Sequence, residues 1–130
     1  MRSGEGASIT QQAGPRERPA AEPFAWAADA ATLEFSFVGG GVERLLGYPL
    51  ERWTREPGFW ADHLDPRDRE RVLFLCRTAV DGGVDRCFDC RMIASDGRIV
   101  WLRNALRPGA GGATVRGSML DVTSEHAAPA

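Results

Sequence analysis

Phe88-Asp89-Cys90-Arg91-Met92-Ile93-Ala94-Ser95-Asp96-Gly97-Arg98-Ile99-Val100-Trp101-Leu102 alternates apolar and polar side chains on both sides of one Asp-Gly pair. Phe88, Cys90 and Met92 take turns with Asp89 and Arg91. Beyond the pair, Val100, Leu102, Asn104 and Leu106 share one face, with Trp101 and Arg103 on the other. A period of two belongs to a strand, and Asp-Gly between alternating runs marks a tight hairpin. The stretch predicts an antiparallel hairpin, 84–94 paired with 99–107, with one oily and one charged face.

Downstream, Pro108 to Gly112 is a glycine-rich connection and Ala113 to Thr123 reads as a closing strand. Upstream, Asp65-Pro66 opens the clearest helix: Asp65 is a good N-cap, Pro66 suits a first helical position, and Asp68 complements the helix dipole. Val72, Leu75, Cys76 and Ala79 then fall on one face at helical spacing, widened by Leu73, Phe74 and Val80. Asp81-Gly82-Gly83 ends it. Before that helix come three short helical segments: Val42 to Leu46 capped by Gly47, Pro49 to Trp53, and Pro57 to Leu64. Phe24 to Asp29 and Leu33 to Val38 read as two strands, with Phe35 and Phe37 on a shared face and Leu33 beside them. Two strands, several short helices and three strands make an α+β arrangement: a five-stranded antiparallel sheet with short helices packed on one face.

The chain has 130 residues, one domain's length, with average apolar content and a net charge of -2. That balance leaves no electrostatic footprint for nucleic acid. All 16 basic residues are arginine, which excludes lysine nucleophiles and a P-loop lysine. No apolar run reaches the roughly 18 residues of a membrane span. Three cysteines, an odd number, give no disulfide framework, so a cytoplasmic, reduced protein is expected. Residues 1–22 have Ile9 as their one sizeable apolar side chain and are expected to be a flexible N-terminal segment. Residues 23–124 form the expected domain, and 125–130 a tail or the start of a signalling linker.

Four fragments in order resemble the PAS superfamily, in the subtype carrying the PAC motif. They are Glu43-Arg44-Leu45-Leu46-Gly47-Tyr48, then Leu64-Asp65-Pro66-Arg67-Asp68-Arg69, then Phe88 to Met92 with Asp96-Gly97 and Trp101, and the closing Gly117-Ser118-Met119-Leu120-Asp121-Val122-Thr123. The second fragment departs from the family's pattern, with Asp65 where a histidine is usual. The resemblance covers residues 24–123. It implies a PAS fold and a non-enzymatic sensory module of bacterial signal transduction, binding a small ligand or a partner and passing a packing change to an output element. The module is either a stand-alone sensor or the front end of a longer signalling protein, such as a histidine kinase or cyclic-dinucleotide enzyme. Expected partners are a second copy in a homodimer or an output domain.

Strand parity places Phe88, Cys90, Met92, Leu102, Asn104, Leu106 and Met119 on the inner face, opposite Leu75, Cys76 and Phe74 on the helix. These are either plain core or the lining of a ligand pocket. Asn104 stands out, because a buried amide needs partners. Asp89, Arg91, Trp101 and Arg103 form the outward face, either as solvated cross-strand pairs or as a docking surface that an exposed Trp101 would favour. Asp121 and Thr123 are the expected signal exit. Flavin is not expected, since light-sensing relatives carry a cysteine motif and sheet amides where this chain has Met92, Leu102 and Met119. Haem is not expected either, because 67–80 contains no histidine, while His63 precedes it and His126 lies in the tail. Catalytic residues and a metal are not expected. A thiol redox or metal module using Cys87 and Cys90 is a weaker alternative, because residues three apart on a strand point to opposite faces.

Overall fold

A computed structural model describes residues 22–127. The expected flexible segment 1–22 lies almost wholly outside them, as do residues 128–130. Strands β1 (Phe24–Asp29) and β2 (Phe35–Val38) come first. Helices α1 (Gly41–Leu46), α2 (Leu50–Arg55), α3 (Phe59–His63) and α4 (Pro66–Gly82) follow. Strands β3 (Arg86–Ile93), β4 (Ile99–Pro108) and β5 (Thr114–Asp121) precede a 3-10 turn at Thr123–His126. The sheet is five-stranded and antiparallel throughout, in the order β2-β1-β5-β4-β3. The α+β class and the Asp-Gly hairpin stand as read.

The first two strands depart from the expected pattern. Asp29 folds the chain back by accepting from the backbone N–H groups of Ala31 and Thr32 at 2.8 and 2.9 Å. Leu33 turns at φ 61°, so it belongs to this turn and β2 starts only at Phe35. A register shift between Ala27 and Ala28 then inserts an extra residue, and the two-residue period fails. Phe35 is buried, whereas Phe37 is 52% exposed on the opposite face. The shared face read for the two phenylalanines is therefore corrected.

Phe35 anchors the core at that end, its ring 5.1, 5.3 and 5.7 Å from Trp26, Trp53 and Trp60. Helix α4 buries Val72, Cys76 and Ala79, with Leu75 half-buried at the core's edge. Phe74 is 66% exposed, so the helix's apolar face is narrower than its composition suggested.

The four fragments have physical reasons to be where they are. Gly47 ends α1 at φ 86°, where a side chain would meet Ser95. Tyr48 donates its hydroxyl to the carbonyl of Ile93 at 2.7 Å, tying α1 to the hairpin. Asp65 caps α4 through the N–H of Arg67 at 2.9 Å. Arg69 caps α3 from outside, donating from Nε to the Ala61 carbonyl at 2.8 Å. Gly117 sits where a Cβ would collide with the Ala105 carbonyl and press on Trp26, so glycine lets that indole lie against the strands.

Candidate functional site

On the inner face, Cys76, Cys90, Met92, Leu102, Asn104 and Met119 have no accessible surface, and Phe88 retains 9%. Asn104 donates from Nδ2 to Cys90 Sγ at 3.6 Å, while its buried Oδ1 has no partner. Burial pushes both interior thiols, Cys76 and Cys90, up to about 12. Cys87 is exposed on the outer face and Cys90 is buried on the inner. The two therefore cannot grip one ion.

The outer face is organised around the chain's exit. Asp89 and Arg103 are cross-strand partners on β3 and β4, joined by a fork of two bonds at 2.9 and 3.0 Å. Arg91 and Trp101 are the next pair, with the guanidinium 4.8 Å from the indole centroid. Hydrogen bonds at the end of β5 bring the tail back over them. Thr123 donates its N–H and hydroxyl to Asp121 Oδ1 at 3.0 and 2.6 Å, and its own Oγ1 accepts the Trp101 N–H at 3.0 Å. This turns the 3-10 segment across the strands.

Three contacts then hold that segment. His126 stacks on Trp101 with centroids 3.7 Å apart and planes 4° from parallel. Its Nε2 reaches Asp89 Oδ2 at 2.8 Å, and Arg103 donates to Glu125 at 2.9 Å. Arg103 and then His126 hold the Asp89 carboxyl below the usual carboxylate range. Trp101 is thus covered by the chain's own exit and half-buried, not the open indole the sequence suggested.

Sequence reasoning missed three members of this cluster, Asp68, Glu125 and His126. Asp68 is more than a dipole complement: it is 2% exposed and takes a fork from Arg91 at 2.6 and 2.9 Å, plus the Arg91 N–H at 2.8 Å. Hydrogen bonding from Arg91 lowers its pKa. His126 was read as part of a tail or the start of a signalling linker; it is the piece that closes the arrangement. Asp68, Arg91, Trp101, His126, Asp89, Arg103 and Glu125 form one unbroken line of contacts from the first turn of α4 to the exit segment.

A family model described as the PAS fold matches residues 35–111. The chain belongs to the PAS fold family. Among solved structures, the N-terminal domain of a diguanylate cyclase with a PAS/PAC sensor from Marinobacter aquaeolei is similar at 29% identity and a TM-score of 0.72, covering 82% of this chain and 100% of that one. A PAS domain from Colwellia psychrerythraea follows at 23% identity and a TM-score of 0.66, covering 78% and 87% of the two chains. The LOV domain of a blue-light-activated histidine kinase from Erythrobacter litoralis is similar at 17% and 0.60, covering 82% and 98%. No curated protein matches. This PAS domain resembles the N-terminal PAS/PAC sensor portion of a diguanylate cyclase. Among the described residues no helix is long and apolar enough to cross a membrane, and no group of side chains could hold a metal ion.

One structural neighbour is a LOV domain studied with a flavin analogue. The inner face here has one carboxamide, Asn104, among thiol and apolar side chains. A flavin's polar ring edge needs several hydrogen-bonding partners, so this donor set does not fit it. Haem fares no better, since both histidines are engaged elsewhere: His63 holds the Phe59 carbonyl and His126 sits on the outer face.

Proposed function

We propose that this PAS domain is a non-catalytic regulatory module of bacterial signal transduction that passes a packing change to an output element through its exit segment. The line of contacts from Asp68 to Glu125 carries this reading. A change where α4 meets β3 alters the seat of Arg91 on Trp101, and through it the hold on His126. The two states are exit clasped and exit released, and any ligand or partner works by binding one better than the other. Asp121 and Thr123 are the hinge. Asp89, Arg91, Trp101 and Arg103 are the face it closes on.

The input is a small molecule seated against Asn104, whose orphaned oxygen is the one unpaid polar atom among the inner-face candidates, or a partner protein. Pairing of two copies without any ligand is the second reading, favoured by how fully those candidates are packed. We place the protein in the cytoplasm on the strength of its free thiols. The decisive experiment joins the chain through residue 130 to a diguanylate cyclase domain and compares it with Trp101→Ala. A cyclase rate altered at least threefold supports the reading; equal rates in two folded fusions overturn it.

A further inference from the structure

Strand β3 is an edge strand, paired along one side with β4. Along its other side every second residue of an antiparallel ladder turns its N–H and C=O outward. The bonds of Arg91 fix which residues these are. Its N–H goes to Asp68 Oδ2 at 2.8 Å, and its carbonyl accepts the Asp65 N–H at 2.9 Å. The outward set is therefore Arg91, Asp89 and Cys87. The Asp89 carbonyl accepts from Arg71 at 3.1 Å.

Helix α4 thus closes the edge step by step, Asp68 at Arg91 and Arg71 at Asp89. The next residue on that stripe is Leu75, which has no polar atom to offer. Among the described residues, the outward N–H and C=O of Cys87 have no partner. Natural sheets blunt such edges, and an unblunted one accepts another extended chain. Beside this gap the helix is apolar: Leu75 is half-buried, and Phe74, one turn beyond Arg71, is 66% exposed. Arg86, next to Cys87, is exposed and has no carboxylate partner among the described residues.

We propose that the open end of the β3 edge takes an extended segment of a partner protein as a sixth strand, lying antiparallel between β3 and α4. One guest residue exchanges both main-chain bonds with Cys87. Its two neighbours point toward α4. The one opposite Phe88 is apolar and rests on Leu75 and Phe74, and the one opposite Arg86 is acidic. The guest therefore reads apolar, any residue, acidic. A second copy fits less well, because symmetric pairing about Cys87 sets Asp85 of each copy against Asp89 of the other, and like charges directly opposite are destabilising.

The test titrates the whole chain with a fluorescein-labelled peptide carrying leucine and, two residues on, glutamate. One twin has lysine for the glutamate, and a second is N-methylated at the residue between, which removes the N–H meant for the Cys87 carbonyl and keeps every side chain. Anisotropy should show the parent binding at least tenfold tighter than the N-methylated twin and at least fivefold tighter than the lysine twin. Arg86→Glu should invert the second preference, and Phe74→Asp should weaken the parent at least fivefold; melting curves check that both variants fold. By NMR, the Cys87 amide should exchange freely in the unbound chain and at least tenfold more slowly with the parent bound. No binding, equal binding of the parent and its N-methylated twin, or a charge preference untouched by Arg86→Glu overturns the proposal. So does a Cys87 amide already protected in the unbound chain, because the chain's own terminus or, where light scattering shows a dimer, a second copy then fills the edge.

Discussion

The imidazole of His126 lies flat on the indole of Trp101, 3.7 Å between centroids and 4° between planes, while its Nε2 holds Asp89. Trp101 and Asp89 sit on neighbouring strands of the hairpin, so one side chain at the chain's exit engages both. The exit segment is thereby joined to the β3–β4 hairpin at one edge of the sheet, rather than trailing from the end of β5.

The Asp68–Arg91 pair should dominate the stability of this region. Asp68 is buried and fully engaged, so Asp68→Ala leaves a poorly hydrated guanidinium without its anion. Breaking a buried pair from one side costs about 3–5 kcal/mol. Urea denaturation should show that loss for Asp68→Ala, and a smaller additional loss when Arg91→Met is added than Arg91→Met causes alone.

Acid should weaken the fold through the same carboxylates. Asp68 is held low by hydrogen bonding from Arg91, Asp65 by Arg67, and Asp89 by Arg103. A folded-state pKa below the unfolded value, about 3.9 for aspartate, contributes stability that is complete above that value and disappears as pH falls through the folded pKa. The melting temperature should therefore hold from pH 7 to about 5 and drop steeply below about 4. Asp68→Asn should flatten that drop.

Thiol chemistry reports which way β3 faces. Cys87 is exposed, while Cys76 and Cys90 are buried with raised pKa values. A chromogenic disulfide reagent should titrate one thiol in the native protein and three in denaturant. Cys87→Ser should remove the fast-reacting one.

Much of this was legible in residues 88–102 and their flanks, because each element there speaks locally. Alternation marks the strands, Asp-Gly the turn, and Asp65-Pro66 the start of α4. What stayed hidden depends on partners far along the chain. Asp68 looks like any helix-start carboxylate until Arg91, 23 residues on, folds against it. His126 is unremarkable until Thr123 turns it back over Trp101. The fate of Phe37 rests on one extra residue in a four-residue strand, which no two-residue period can reveal. The inner-face residues were placed by parity, but parity says nothing of how tightly they pack.

Asn104 separates a filled interior from one built for a guest. Its Oδ1 is buried without a partner, a cost of about 1–3 kcal/mol. If only packing is at stake, Asn104→Leu should raise stability by about 1 kcal/mol in thermal or urea unfolding. A protein that is purified with a small molecule, visible in native mass spectrometry, should lose it in this variant.

Hydrogen exchange at the exit, read by NMR in the intact chain, tests the contact line most directly. The Glu125 amide donates to the Val122 carbonyl at 2.9 Å and the Thr123 amide to Asp121 at 3.0 Å. Asp68→Asn, made at the far end of the line, should speed exchange of both at least fivefold while amides in the middle of β4 and β5 keep their wild-type rates. If the variant stays folded and the Glu125 and Thr123 amides exchange as in the wild type, the start of α4 and the exit are not coupled and the regulatory account fails.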